Sequence, residues 1–216
     1  FAFYVKHYES VDELKDFCQS VIGLIDGIQV LRTVGCGIGV LEFDCQSCGC
    51  VAENIIRNAS TAAERTDESQ TYGYRFFDQE MEASLKREAE VKEALVRLIS
   101  GSPSDRLYLQ YQPILNLKTN RVEEFEALAR FHSDRLGMVS PLEFIPLAEE
   151  TQLIIPIGKM VLQMACQFQK RIRSFGYRHI RIFVNVSAIQ LLHSEFLSDF
   201  MGFLNQIGRA SCRERV

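Results

Sequence analysis

LYLQYQPILNL (residues 107–117), KTN (118–120) and RVEEFEALARF (121–131) form the stretch that decides the architecture of the larger part of this chain. The two outer runs are rich in leucine and aromatic residues, and the three residues between them are polar. This spacing predicts strands over 107–117 and 122–131, joined as a hairpin. Alternation along the second strand puts Phe125 and Ala127 on the face opposite Glu126. Arg130, four residues after Glu126, shares its face.

Working downstream, His132 to Gly137 reads as a loop, and Ser140-Pro141-Leu142-Glu143-Phe144 opens a helix. Ser140 is the N-cap, Pro141 takes the first position and Glu143 lies in the first turn. A second helix is expected over 156–175, closed by Gly176, then a strand over 180–186 ending in Asn185-Val186-Ser187. Ile189, Leu192, Phe196, Phe200, Phe203, Leu204 and Ile207 are spaced for one face of a last helix. Strands alternating with helices predict parallel βα units and a barrel. Residues 105–207 are too few for the roughly 250 of a complete (β/α)₈ barrel, so the barrel is expected to be truncated.

Upstream, residues 78–100 are dense in Glu, Lys and Arg around one apolar stripe, Met81, Leu85, Val91, Leu95 and Leu98. That pattern predicts a solvated helix between two bodies, ended by Gly101-Ser102-Pro103-Ser104. Residues 1–80 alternate strands (1–7, 30–43, 72–77) with helices (11–25, 51–66). The first helix should turn Val11, Leu14, Phe17, Cys18, Val21, Leu24 and Ile25 inward, the second Val51, Ile55, Ile56, Ala59 and Ala63. Gly35, Gly37 and Gly39 do not fit G-x-G-x-x-G. They read as a strand whose backbone another element approaches closely. The fold class is α/β: a partial α/β domain over 1–80, a linker helix over 81–104, a truncated (β/α) barrel over 105–207, and a tail. In that tail, residues 208–216 break the helical pattern and read as non-native sequence, the alternative being a natural divergent end.

Hydrophobic residues make up 47 % of the 216 and charged residues 24 %. That supports a packed core and excludes disorder as the main state. Against 28 acidic residues stand 24 basic ones, a net charge of -4, which argues against a nucleic-acid polymer as partner. No apolar run reaches the roughly 18 residues of a membrane span. The best candidate, 153–166, contains Pro156 and Lys159. No membrane contact by this segment and a cytoplasmic setting are expected, with an upstream membrane or sensor domain left open. Seven cysteines, an odd number, read as reduced thiols. Cys45, Cys48 and Cys50 lack the second pair that four zinc ligands need, so a Cys-rich surface loop is favoured over a metal site. Phe1 already lies in a β-like run, Phe1-Ala2-Phe3-Tyr4-Val5, and the chain reads as a piece of something longer.

Four segments in order carry a resemblance: Tyr111-Gln112-Pro113-Ile114, then Phe125-Glu126-Ala127-Leu128-Ala129-Arg130-Phe131, then residues 141–150 beginning Pro141-Leu142-Glu143-Phe144-Ile145-Pro146, then Val184-Asn185-Val186-Ser187. Residues 105–207 resemble the EAL family of cyclic di-GMP phosphodiesterases, with Phe131 where that family more often has Trp. The first part resembles the C-terminal half of a GGDEF (diguanylate cyclase) domain through Phe1-Ala2-Phe3, Val34-Gly35-Cys36-Gly37-Ile38-Gly39 and Tyr74-Arg75-Phe76-Phe77-Asp78. The signature turn of that family is absent, and Ser60 stands where it usually has Asp. The whole is similar to tandem GGDEF–EAL proteins of a bacterial second-messenger system.

The resemblance implies metal-assisted hydrolysis of cyclic di-GMP to linear pGpG. It implies Mg²⁺ or Mn²⁺ as cofactor, cyclic di-GMP as partner and a homodimer in the parent. Hard cations of this kind take oxygen ligands, and two of them about 3.5–4 Å apart activate water and stabilise developing charge. By the resemblance, Glu126 and Asn185 are metal ligands, with Glu126 the catalytic carboxylate. Arg130 holds a substrate phosphate, Gln112 lines the same pocket, and Leu142 and Pro146 shape the guanine side. Read without it, Glu126 is a solvent-facing carboxylate, Asn185 a turn residue closing a strand, and Arg130 half of a salt bridge. His132, His179 and His193 read as surface or packing residues. The family's further site residues — a Glu on a later strand, an Asp pair, a Lys and another Glu — would lie beyond residue 207, so the 216-residue chain is expected to be inactive by itself. Two rival classes remain open at this point: a degenerate GGDEF–EAL receptor that binds without cleaving, and a bifunctional cyclase/phosphodiesterase.

Overall fold

The computed structural model describes residues 1–28, 35–43, 51–66 and 72–207 and divides the chain into two units, Phe1–Lys86 and Arg87–Val216. In the first, helix α1 (Val11–Asp26) buries Leu14 and Cys18, while Val11, Phe17 and Leu24 of the expected inner face are exposed. Strand β1 (Cys36–Val40), helix α2 (Ala52–Glu64) and strand β2 (Tyr72–Phe76) follow, and β1 pairs with β2 in parallel, Cys36 opposite Tyr72 through Val40 opposite Phe76. Parallel neighbours need a crossover element, and α2 supplies it. A Cβ on Gly37 would overlap the Ala63 carbonyl of α2, and one on Gly39 the Ala59 carbonyl. The glycines are therefore what lets helix and strand backbones touch, as the sequence predicts.

Two expectations for this unit need correction. Residues 1–7 form no strand: they pair with neither β1 nor β2, and His7 adopts φ 57°. Instead Phe3 meets Phe17 edge to face at 5.8 Å between ring centroids. On α2 the fully buried residue is Ala62, while Val51 and Ile56 are exposed. Ala63 and Ala59, whose backbones meet Gly37 and Gly39, are half-buried. The outer parts of the strand predicted over 30–43, together with Cys45, Cys48, Cys50 and the tail 208–216, fall wholly or partly outside the described residues.

Helix α3 (Gln79–Ile99) begins with Asp78 accepting the Met81 N–H at 2.8 Å, an N-terminal cap. Its second half is no solvated linker. Val91, Ala94, Leu95 and Leu98 are buried in one core with Phe131, Phe144, Leu147, Ala148 and Ile157. The stripe is narrow because long charged side chains cover its flanks. Arg87 reaches Glu143 at 2.6 Å and Lys92 reaches Glu150 at 2.7 Å.

Strands β3 (Asp105–Asn116) and β4 (Arg121–Ser133) make the predicted antiparallel hairpin, with Asn120 at φ 51° in its turn. The expected loop after Phe131 is shorter than read. β4 continues to Ser133 and pairs with β5 (Gly137–Val139). Helix α4 (Pro141–Glu150) starts as expected, the Ser140 hydroxyl accepting the Leu142 N–H at 3.3 Å. Helix α5 (Ile154–Ser174) ends before Gly176 at φ 93°, in the left-handed region that glycine adopts without strain. Strand β6 (Arg181–Val184) then pairs in parallel with β4, Glu124 opposite Arg181 through Ala127 opposite Val184. The buried Gln169 of α5 donates to the Ile180 carbonyl at 2.9 Å and fixes where β6 begins.

The single last helix is in fact two, α6 (Ala188–Leu191) and α7 (Phe196–Ile207), and Leu192, expected inside, is 87 % exposed. Lys159 of α5 binds both Glu195 and Asp199, at 3.3 and 2.8 Å, which anchors α7 separately. Among the described residues no helix is long and apolar enough to cross a membrane.

Candidate active site on the open face of the sheet

Alternation divides this four-stranded sheet into two faces. Leu107, Leu109, Ala127, Ala129, Phe131 and Val184 join or pack against the core with α3, α4 and α5. The opposite face carries Gln110 and Gln112 from β3, Glu124, Glu126 and Arg130 from β4, and Arg181 from β6. The register sets Gln112 opposite Glu126 on one side and Phe183 opposite it on the other. Just past the end of β6, Asn185 Nδ2 donates to Glu126 Oε1 at 2.8 Å. Two adjacent parallel strands thus bring a carboxylate and a carboxamide into contact from positions 59 residues apart.

Arg130 lies two repeats of the pleat further along β4. Its Nε donates to Gln110 Oε1 at 2.8 Å and one terminal nitrogen to the Ala129 carbonyl at 2.9 Å. The arginine's side-chain partner is therefore a neutral amide, where the sequence allowed for a salt bridge to a carboxylate. Gln110 was not singled out from the sequence; the one available signal was its i, i+2 relation to Gln112 on the same strand face. Glu124, at the other end, is ion-paired with Arg181.

Beside these groups lies a cavity of about 180 Å³, lined by Arg130 and Asn185 together with Phe144, Ile157, Val161 and Leu162. It opens on the stretch of β4 between the residues that pair with β6 and those that pair with β5. Gln112 and Glu126 do not line it, and neither do Leu142 or Pro146. Leu142 is 90 % exposed and Pro146 is exposed; α4 turns Pro141, Phe144 and Ile145 toward the cavity in their place. Tyr111 belongs to the core face: its ring stacks on Phe168 at 3.6 Å, and burial pushes its hydroxyl up to about 12. It stays neutral across the working pH range and contributes packing. His193 accepts the Glu195 N–H at 3.4 Å, a structural role at the start of α7.

Among the described residues no group of three or more His, Cys, Asp or Glu side chains is placed to hold a metal ion. Glu126 and Asn185 do fit a hard divalent cation by donor type, carboxylate and amide oxygen. Between them they offer two side chains toward the roughly six oxygens that Mg²⁺ takes.

The sequence model of the EAL domain matches residues 92–213, more than half of the chain. The chain belongs to the EAL domain family, whose curated relatives include cyclic di-GMP phosphodiesterases. It is 28 % identical over 188 residues to the cyclic di-GMP phosphodiesterase NbdA of Pseudomonas aeruginosa, covering 87 % of this chain and 23 % of the relative. It is 30 % identical over 166 residues to the bifunctional diguanylate cyclase/cyclic di-GMP phosphodiesterase MucR of the same organism, covering 77 % of this chain and 23 % of that one. Among solved structures, the PaMucR phosphodiesterase in complex with c-di-GMP aligns with a TM-score of 0.50 and 30 % identity, over 55 % of this chain and 47 % of that chain. The chain thus spans under a quarter of the length of these curated relatives.

Proposed function

We propose that the protein carrying this chain hydrolyses one phosphodiester bond of cyclic di-GMP, in a metal-dependent reaction, to give linear pGpG. The observation that carries this reading is the 2.8 Å contact between Glu126 and Asn185 across the β4–β6 pair. Asn185 lies just past the C-terminal end of β6, the kind of position where barrel enzymes place their chemistry, and Glu126 faces it from within β4. Glu126 and Asn185 are assigned as oxygen donors to Mg²⁺ or Mn²⁺. When bound, such a cation polarises the phosphodiester and lowers the pKa of an attacking water. Arg130 is assigned to a phosphate of the substrate: its guanidinium is held by a neutral amide, so its charge is available to an anion, and its planar fork suits phosphate oxygens. Gln112, opposite Glu126, lines the same face.

The described residues supply only two of the donors a two-metal site requires, so the isolated 216-residue chain should bind cyclic di-GMP weakly and turn none over. The first unit is read as the C-terminal part of a GGDEF-like domain. Its parallel β1–α2–β2 crossover, seated on Gly37 and Gly39, supports that reading.

The test is incubation of the full-length protein with cyclic di-GMP and Mg²⁺ or Mn²⁺, followed by chromatography of the nucleotide. Metal-dependent conversion to pGpG, stopped by a chelator, is expected. Tight binding with no conversion would overturn the hydrolase reading in favour of a receptor.

A further inference from the structure

We infer that Ser187, held between Glu149 and Gln190, is the positioning residue that keeps Asn185 against Glu126. The inference rests on the reading of Glu126 and Asn185 as metal-holding groups. Asn185 needs such support because it lies one residue past β6, where the ladder with β4 has ended, and its side chain is exposed. An exposed side chain on unpaired backbone samples several rotamers, and each wrong one removes a donor from the metal.

Ser187, two residues on, is tied at every polar group. Its hydroxyl donates to Glu149 Oε1 at 2.5 Å and accepts the Ile189 N–H at 3.3 Å. Its N–H donates to Gln190 Oε1 at 3.0 Å, and its carbonyl accepts the Leu191 N–H at 3.1 Å. Gln190 is itself buried. Its amide occupies the place where a Cβ on residue 158 of α5 would stand, so a larger residue there would displace it.

Capping the single turn of α6 requires only the accepting side of the hydroxyl. The short bond to the carboxylate of Glu149, on a different helix, is surplus to that need and is of the stronger, charge-assisted kind. Glu149 is fixed in turn by α4, where Leu147 and Ala148 are buried in the core. The turn carrying Asn185 is thus clamped from α4 through Glu149 and from α5 through the Gln190–Gly158 contact.

Groups that orient a metal ligand from behind are worth about 10–100-fold in metal affinity. The experiment measures Mn²⁺ affinity of the full-length protein by calorimetry without nucleotide, well below the melting midpoint of each variant. Ser187→Ala should weaken Mn²⁺ binding by about 10–100-fold, and Ser187→Thr, which keeps both hydroxyl roles, should restore most of it. Glu149→Ala should follow Ser187→Ala, whereas Glu149→Gln, which keeps an acceptor, should stay close to the parent. This second pair gives the same readout if Ser187→Ala does not fold. Wild-type Mn²⁺ affinity in folded Ser187→Ala or Glu149→Ala, alongside loss of affinity in Glu126→Gln, would overturn the positioning role and leave the ligand assignment standing. Undiminished affinity in Glu126→Gln would instead remove the ligand assignment, and this inference with it.

Discussion

Arg130 and Asp105 are two charged residues set in opposite ways, one open to a ligand and one closed in structure. Arg130 is satisfied by the neutral Gln110 and a backbone carbonyl, so a phosphate can add to its contacts without breaking an ion pair. Hydrogen bonds to charged groups are worth about 1.5–3 kcal/mol. Arg130→Ala in the full-length protein should therefore raise KM for cyclic di-GMP by roughly 10–100-fold, with a smaller change in kcat. Arg130→Lys, which keeps the charge and loses the fork, should fall between the two. Steady-state kinetics checks this, and an unchanged KM would remove the phosphate role. Asp105 is fully enclosed: Arg97 reaches it at 2.9 Å and Ser104 at 3.0 Å. Burial by itself would push its carboxyl up, but these hydrogen bonds, Arg97's foremost, outweigh that and hold it below the usual carboxylate range.

A depressed carboxyl contributes stability that is present above its unfolded value, about 3.9. That stability is lost as the pH falls through the folded value. Asp105→Asn should lower the melting midpoint at pH 7, with the gap to wild type closing below about pH 4. A gap that stays constant on acidification would contradict the assignment. Motif and alternation put Glu126, Asn185 and Arg130 forward as proposed site residues, and the structure brings the first two into contact. The sequence could not show Gln110, Ser187 or Gln190 as partners, because neutral polar residues leave no charge pattern and their contacts depend on register and on the loop after β6.

Among the elements, the hairpin and α4 could be read closely because their signals are local: two apolar runs around a polar turn, and Ser140-Pro141 at a helix start. The elements misjudged depend on what they pack against. α3 carries few apolar residues, yet Val91, Ala94, Leu95 and Leu98 all face one core. The division of residues 188–207 into α6 and α7 was hidden because apolar spacing runs on across the break, while Ser187 caps a single turn and Lys159 anchors the next helix. Phe131 and Phe144 close the core between β4 and α4, with ring centroids 5.7 Å apart and neither ring reaching solvent. Phe144→Ala should destabilise this unit by about 3–5 kcal/mol, measured by urea denaturation. A loss below about 1 kcal/mol would mean that α4 is not bound to the sheet in this way.

Taken as a whole, the chain presents a sheet with one face sealed by α3, α4 and α5 and the other carrying the charged and amide side chains. The chain belongs to the EAL domain family, whose curated relatives include cyclic di-GMP phosphodiesterases. Glu126 is the group that ties metal to catalysis in the proposed function. The most direct measurement is the initial rate of cyclic di-GMP hydrolysis by the full-length protein as a function of Mn²⁺ concentration, wild type against Glu126→Gln. Saturable, metal-dependent hydrolysis is expected in the wild type. In the variant the rate should be lower by about 10²–10³-fold at every Mn²⁺ concentration, with the melting midpoint unchanged. Equal rates for the two proteins at saturating Mn²⁺ would contradict this role of Glu126.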